Sequence, residues 1–138
     1  MRRTTASFAV FAILCAWQAR SVEVLADCVA LRESLAERVA RSQLVFLGKV
    51  LSVDNVSQPA PYRSRVRFQV IESFRGLGKG ERVVQFRPSV EDFKFEVSQR
   101  VLVYATGEPD QYSTQCSATR RVGADDSEMR ELRRLARK

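Results

Sequence analysis

The chemistry open to this chain is limited by the absence of one residue type, because the sequence contains no histidine. Histidine is the side chain that most often acts as a general base, and it activates the nucleophile in Ser-His and Cys-His pairs. Zinc sites built from cysteine and histidine need it as well. We therefore predict no catalytic residues, no metal site and no cofactor, and we interpret the chain as a non-enzyme.

Two pairs of adjacent carboxylates, Glu91-Asp92 and Asp125-Asp126, are the remaining candidates for acid/base chemistry or calcium binding. The first pair stands between two stretches of strand periodicity, so we predict a loop there. The second pair precedes a helical pattern, and we predict that Asp125 caps that helix. The glycine-rich residues 75–80 lack the Gly-Lys-Ser/Thr ending of a phosphate loop, which favours a turn.

Residues 1–26 have the pattern of a signal peptide: a basic start, an apolar run at residues 6–17 and a small-residue cleavage pattern that ends at Ala26. We predict an exported, periplasmic or extracellular protein whose mature domain is residues 27–138. The apolar run is shorter than the roughly 20 residues that span a bilayer, so no membrane span is expected after cleavage. An uncleaved anchor and lipidation are the alternatives.

Two of the three cysteines, Cys28 and Cys116, belong to the mature chain, whereas Cys15 lies in the leader. An even number of cysteines in an oxidising compartment normally pairs. We predict a Cys28–Cys116 disulfide that ties the start of the domain to its end. The chain-entropy description assigns a loop of this length about 4–5 kcal/mol of stabilisation. Two free thiols are the alternative.

Helical periodicity occurs at both ends of the mature chain. The first apolar stripe consists of Leu31, Leu35 and Val39, and the second of Met129, Leu132 and Leu135. We expect Asp27 to cap the first helix and Glu37 to pair with Arg41 on its surface.

Five segments between the helices have strand periodicity: residues 44–53, 63–74, 82–86, 101–105 and 112–116. In the second segment the alternation slips near Ile71, which predicts a bulge. Five short strands with a helix at each end predict a mainly β fold, a closed five-stranded OB-type Greek-key barrel. A sandwich usually has about seven strands.

The basic character of the chain, with a net charge of +7, comes from scattered side chains and predicts a solvated surface. A nucleic-acid-binding barrel would interleave aromatic residues with its outward arginines. Here Arg65 and Arg67 alternate with Val66 and Phe68, which we expect in the core. We therefore expect no nucleic acid as partner.

Several segments taken together resemble the netrin-like (NTR) domain family, in its bacterial version similar to tissue inhibitors of metalloproteinases. Residues 42–50 (SQLVFLGKV) are similar to the helix-to-first-strand segment of that family, and residues 68–70 with 74–76 (FQV and FRG) to its second strand. Residues 95–105 (FEVSQRVLVYA) are similar to the fourth strand, and the STQC at 113–116 matches the late half-cystine. The resemblance covers nearly all of the mature chain and implies the barrel fold.

The amino terminus departs from the family pattern. The family often opens with Cys-x-Cys, where this chain has Ala26-Asp27-Cys28, and the stretch Glu91-Asp92-Phe93 lacks a partner for the missing cysteine. In the inhibitors that the resemblance implies, the amino group and carbonyl of an N-terminal cysteine chelate the protease zinc. Cys28 cannot do this behind Asp27, so we expect no inhibition by that route.

Together these features predict an exported module that binds another envelope or secreted protein. Metalloendopeptidase inhibition is the alternative, and OB-fold nucleic-acid binding is the third hypothesis. We expect the partner-facing surface on the loops at residues 55–62 and 88–95, where Phe93 and Phe95 flank Lys94.

Overall fold

A five-stranded antiparallel sheet, with one helix before it and one after it, forms the described part of the chain. The structure is a computed structural model that describes residues 33–55, 64–89, 92–109, 111–115 and 117–138. Its elements are, in chain order, α1 (Leu35–Arg41), β1 (Leu44–Asn55), β2 (Ser64–Arg75), β3 (Val83–Phe86), β4 (Arg100–Ala105), β5 (Arg120–Arg121) and α2 (Ser127–Ala136). The predicted mainly β class with a helix on each side is confirmed. The predicted signal peptide, Cys28 and Cys116 lie outside the described residues.

The long hairpin of β1 and β2 is the centre of the sheet, whose strand order is β3-β2-β1-β4-β5. Each of its strands has 12 residues, and their register slips at three places. At one slip Gly48 lies opposite Val70 and Leu47 lies opposite Glu72, which leaves Ile71 as the extra residue. The bulge predicted near Ile71 is therefore confirmed, and it strengthens the local twist of the hairpin.

The sheet is open between β3 and β5, so the predicted closure of the barrel is wrong for the described residues. β5 is only two residues long and pairs with Val101 and Leu102 of β4. β3 and β5 therefore form opposite edges of the sheet and do not pair with each other in the described segments. The architecture is that of a five-stranded OB-like sheet in an open form.

The fifth strand was predicted at residues 112–116, and this prediction is wrong for residues 112–115, since β5 is Arg120–Arg121. Ser113 makes only an isolated bridge with Thr106, through backbone bonds of 2.8 and 2.9 Å. The next two N–H groups, of Thr114 and Gln115, donate to the Asp92 carboxylate at 2.5 and 3.1 Å. In a strand these N–H groups would donate to carbonyl oxygens of a neighbouring strand, whereas here they donate to a side chain.

Helix α1 begins at a capping box. The Ser34 hydroxyl accepts a hydrogen bond from the Glu37 N–H, and the Glu37 carboxylate accepts one from the Ser34 N–H at 2.8 Å. This occupies the Glu37 side chain, and Arg41 pairs with Glu33 at 3.0 Å. The predicted Glu37–Arg41 pair is therefore wrong. The predicted cap, Asp27, lies outside the described residues.

Helix α2 is capped by Asp126, so the prediction that Asp125 is the cap is wrong by one residue. The Asp126 carboxylate accepts hydrogen bonds from the N–H groups of Glu128 and Met129 at 3.0 and 3.3 Å. It also receives both guanidinium nitrogens of Arg120, at 2.7 and 2.8 Å. Neither α1 nor α2, the helices of the described segments, is long and apolar enough to cross a membrane.

The two faces of the sheet bury separate cores. The inner core lies on one side of the sheet and includes Phe46, Phe68 and Phe86, whose rings meet edge to face. The outer core lies between the helices and one part of the opposite face, and consists of Val45, Leu47, Leu102, Tyr104, Met129 and Leu132. β4 contributes to both cores, which agrees with its prediction as a central strand that is apolar on both faces.

Candidate functional site

The three residues predicted to face a partner have different environments. Phe95 belongs to the inner core, where its ring lies 4.9 Å from that of Phe68 at 83°. It is only 6% exposed, so most of its ring belongs to the core, and its role toward a partner stays a prediction. Its ring fills the core beneath the loop, a role that a lone aromatic residue in a loop does not reveal in sequence.

Phe93 and Lys94 remain accessible. The Phe93 ring is half-buried and lies 5.0 Å from that of Phe95, so it extends the inner core toward the surface. The Lys94 side chain, between the two rings in sequence, is exposed. The accessible part of the predicted triplet is therefore one apolar wall beside one cation.

A groove of about 340 Å³ lies at this end of the sheet. Its apolar lining includes Val53, Val66, Phe93 and Phe95, and Lys94 also lines it. Asn55, the last residue of β1, and Ser64, the first residue of β2, also line it. The structure thus brings the described ends of both predicted loops to one place. Residues 56–63, 90 and 91 lie outside the description.

The carboxylate of Asp92 fixes the loop beside the groove. Its Oδ2 accepts from the N–H and the hydroxyl of Ser89, at 2.6 and 2.8 Å. Its Oδ1 accepts from the Ser113 hydroxyl at 2.8 Å and from the Thr114 N–H at 2.5 Å. The Thr114 hydroxyl also accepts from the Phe93 N–H at 2.9 Å. These bonds hold the Phe93 backbone against the segment that follows β4.

The same bonds set the acidity of Asp92. Burial by itself raises the pKa of this carboxyl, but the hydrogen bonds from Ser89, Ser113 and Thr114 favour the charged form. Their combined effect holds the pKa of Asp92 below its usual value. A carboxylate with so many internal donors is a structural acceptor and a poor general base.

Sequence reasoning placed Asp92 in a loop but missed this role. One local signal is present, since Ser89 precedes Asp92 by three residues, a spacing at which short polar side chains often bond nearby backbone groups. The contacts of Asp92 with Ser113 and Thr114 span 21 and 22 residues, and no local sequence pattern predicts them.

A second polar cluster lies on the helix side of the sheet. The Tyr104 hydroxyl donates to Glu128 Oε1, which also receives Arg38 Nη1 at 3.0 Å. Burial raises the pKa of Tyr104 well above its usual value, and the neighbouring Glu128 carboxylate raises it further. The Arg38 guanidinium lies 5.7 Å from the centre of the tyrosine ring. This cluster fastens both helices to β4.

Metal-ligating side chains do not gather within the described ranges: no three His, Cys, Asp or Glu residues there are close enough to hold an ion together. Asp92 and Asp126, one from each acidic pair, instead hold backbone N–H groups.

No family model matches the chain, and no curated protein matches its sequence. The resemblance to the netrin-like domain therefore stays a prediction, carried by the residues from which it was drawn.

Proposed function

We propose that the protein is a non-enzymatic binding module that holds another exported protein through the groove at Phe93 and Lys94. The observation that carries this proposal is the composition of the groove: a half-buried aromatic wall, an apolar floor and one exposed cation in about 340 Å³. This volume lies at the low end of the range for small-ligand sites, roughly 300–1,000 Å³. It suits one large apolar side chain better than a cofactor.

The rigidity of the loop supports the proposal. Binding costs less when the contact surface is already ordered, because each immobilised side chain otherwise loses about 0.5–1.5 kcal/mol of entropy. Asp92 accepts hydrogen bonds from Ser89 and from Thr114, and the Thr114 hydroxyl accepts one from the Phe93 N–H. The backbone that carries the aromatic wall is thereby already ordered.

The chemistry of the groove supports a binding role over catalysis. The chain has no histidine, and the carboxylate of the groove, Asp92, accepts several hydrogen bonds from the protein itself. Lys94 supplies a positive charge at the rim. We therefore propose that the partner inserts an apolar side chain and presents a carboxylate to Lys94.

The residues that would decide metalloprotease inhibition, Asp27 and Cys28, lie outside the described residues. No described contact favours that alternative over the groove.

The test is affinity purification of the tagged protein from the cells that make it, with bound proteins quantified by mass spectrometry. We expect one protein to be recovered in stoichiometric amount, and Lys94→Glu to reduce its recovery about tenfold, since a like charge at a docking rim opposes association. Lys79→Glu is the matched control, because Lys79 is an exposed lysine in the turn after β2. Equal recovery with Lys94→Glu and wild type would count against the groove as the site.

A further inference from the structure

The helices cover only part of the outer sheet face. They pack on Val45, Leu47, Leu102 and Tyr104, which belong to the first half of β1 and to β4. Among the described residues, the outer core beneath the helices includes nothing from β1 beyond Leu47, from β2 before Phe74 or from β3. The inward residues of this region, including Val50, Phe68 and Val84, are buried in the inner core, so the side chains between them point away from it.

Register places these outward side chains in rows across three strands. Lys49, Gln69 and Val83 form one row, and Ser52, Arg67 and Gln85 form the next. The bulge residues Leu51 and Ile71 adjoin the rows. We call this set the uncovered face, and its members are Lys49, Leu51, Ser52, Arg67, Gln69, Ile71, Val83 and Gln85.

Apolar exposure is concentrated on the uncovered face. The described segments contain four exposed large apolar side chains, and three of them are Leu51, Ile71 and Val83, at 40, 49 and 46% exposure. A cluster of exposed apolar groups rimmed by polar ones is the usual composition of a protein-docking surface. Three such residues within three neighbouring strands therefore need a physical explanation.

The charges of the uncovered face are unbalanced. Lys49 and Arg67 are exposed, and no ion pair of either is found among the residues that the structure describes. By contrast, the helix side pairs its arginines internally, as in Arg133–Glu72 at 2.8 Å and Arg120–Asp126 at 2.7 Å. By register, the acids beside these cations on the same side of the sheet are Glu72, opposite Leu47, and Asp54, opposite Arg65. Glu72 pairs with Arg133, and Asp54 accepts a hydrogen bond from the Ser52 hydroxyl at 3.3 Å.

We propose that the uncovered face is a second docking surface, separate from the groove, and that it binds an acidic protein segment in which carboxylates alternate with aliphatic side chains. Carboxylates would pair with Lys49 and Arg67, and aliphatic groups would cover Leu51, Ile71 and Val83. The face carries no aromatic side chain, so it offers no platform for stacking nucleic-acid bases. The proposal does not depend on the function proposed for the groove.

The experiment uses a synthetic peptide of alternating glutamate and leucine, added to the isotopically labelled protein and followed by amide chemical shifts. We expect the largest shifts at the uncovered face and none at Phe93 or Lys94. Raising the salt concentration should weaken binding, because exposed charges are screened. Lys49→Glu with Arg67→Glu should weaken it about tenfold or more.

The charge-matched control is Lys79→Glu with Arg130→Glu, which reverses two other exposed cations that have no ion pair in the described segments. It should change the affinity less than about twofold, so an equal loss in both double variants would show mere net-charge attraction and overturn the proposal. Shifts centred on the groove would overturn it as well. Tighter binding of an oligothymidylate or of phosphatidylglycerol vesicles to this face would replace the acidic protein with another ligand class. For each variant, amide chemical shifts as widely dispersed as those of wild type show that the fold is intact.

Discussion

The carboxylate of Asp92 accepts the N–H of Thr114 at 2.5 Å, across 22 residues of chain. This contact ties the loop that carries Phe93 to the segment after β4. It has two consequences: Phe93 is held at the rim of the groove, and residues 114 and 115 are kept from forming a strand.

Replacing Asp92 with alanine should lower the free energy of unfolding by about 2–3 kcal/mol, because the partly buried N–H groups of Ser89 and Thr114 lose a charged acceptor. Urea denaturation at neutral pH measures the change. Asp54→Ala is the control, since Asp54 is exposed and accepts only from Ser52 among the described residues. A loss for Asp92→Ala no larger than the control's would contradict the role assigned to Asp92.

The difference in unfolding free energy between wild type and Asp92→Ala should depend on pH, because the pKa of Asp92 is lowered in the folded protein. A carboxyl whose pKa is lower in the folded state stabilises the fold above its unfolded pKa, about 3.9 for aspartate. The stabilisation is lost as the pH falls through the folded pKa. The stability gap between wild type and Asp92→Ala should therefore be constant near neutrality and shrink below about pH 4. A gap that widens on acidification would contradict the assigned sign.

Two glycines that both have a positive φ should lose different amounts of stability when each is replaced by alanine. Gly76 and Gly80 have φ of +85° and +83°, but a Cβ on Gly76 would lie 2.0 Å from the Gln43 carbonyl oxygen, whereas one on Gly80 meets nothing within 4 Å. We expect Gly80→Ala to cost about 1 kcal/mol, the ordinary penalty for this conformation. Gly76→Ala should cost at least about 3 kcal/mol, because the backbone must also move. Thermal unfolding of both variants measures this, and equal losses would show that the Gln43 contact is not a constraint.

The adjacent acids before α2 offer a similar comparison. Asp126→Ala should cost about 1–2 kcal/mol, since it removes the acceptor for the first N–H groups of the helix and the counter-ion of Arg120. Asp125→Ala, one residue earlier and exposed, should have an effect close to zero. Urea titrations followed by circular dichroism distinguish the two. The reverse order of effects would restore the cap predicted from sequence.

Tyr104 should resist ionisation. Because burial and Glu128 raise its pKa, we expect it to remain neutral at about pH 11, where a free tyrosine of pKa about 10 is mostly ionised. A group whose pKa is higher in the folded state than in the unfolded state stabilises the fold at any pH below its unfolded-state pKa. This stabilisation is lost as the pH rises through its folded-state pKa. The measurement is the tyrosinate absorbance of wild type and of Tyr104→Phe as the pH is raised. The difference between the two titrations reports the ionisation of Tyr104 alone. A difference signal with its midpoint near pH 10 would contradict this environment.

The parts of the fold that sequence predicted are those set by local periodicity. β1 to β4 are close to their predicted ranges because their burial follows the residue types. It alternates in β2, as with Val66 and Phe68 against Arg67, and it is continuous in the apolar run of β4. The bulge at Ile71 was readable for the same reason. Both helices were found by their apolar stripes, although the cap of α2 lies one residue after the predicted one.

The parts that sequence missed depend on distant contacts. The segment at Thr114 has strand-like composition, but a carboxylate 22 residues earlier takes its N–H. Asp125 and Asp126 are equivalent in sequence, and it is Asp126 that bonds the helix start and Arg120. Phe93 and Phe95 are equally apolar, yet only Phe95 is enclosed by the inner core. The groove itself required the hairpin end to meet the loop, which periodicity cannot predict.

The most direct test of the account is site-specific photo-crosslinking in the cells that make the protein. A photo-reactive benzophenone amino acid replaces Lys94 in one variant and Lys79 in the other, and mass spectrometry identifies what each captures. We expect a single cross-linked protein at position 94 that is absent at position 79. Capture of no protein at position 94, or of the same proteins at both positions, would contradict the claim that the groove binds a specific partner.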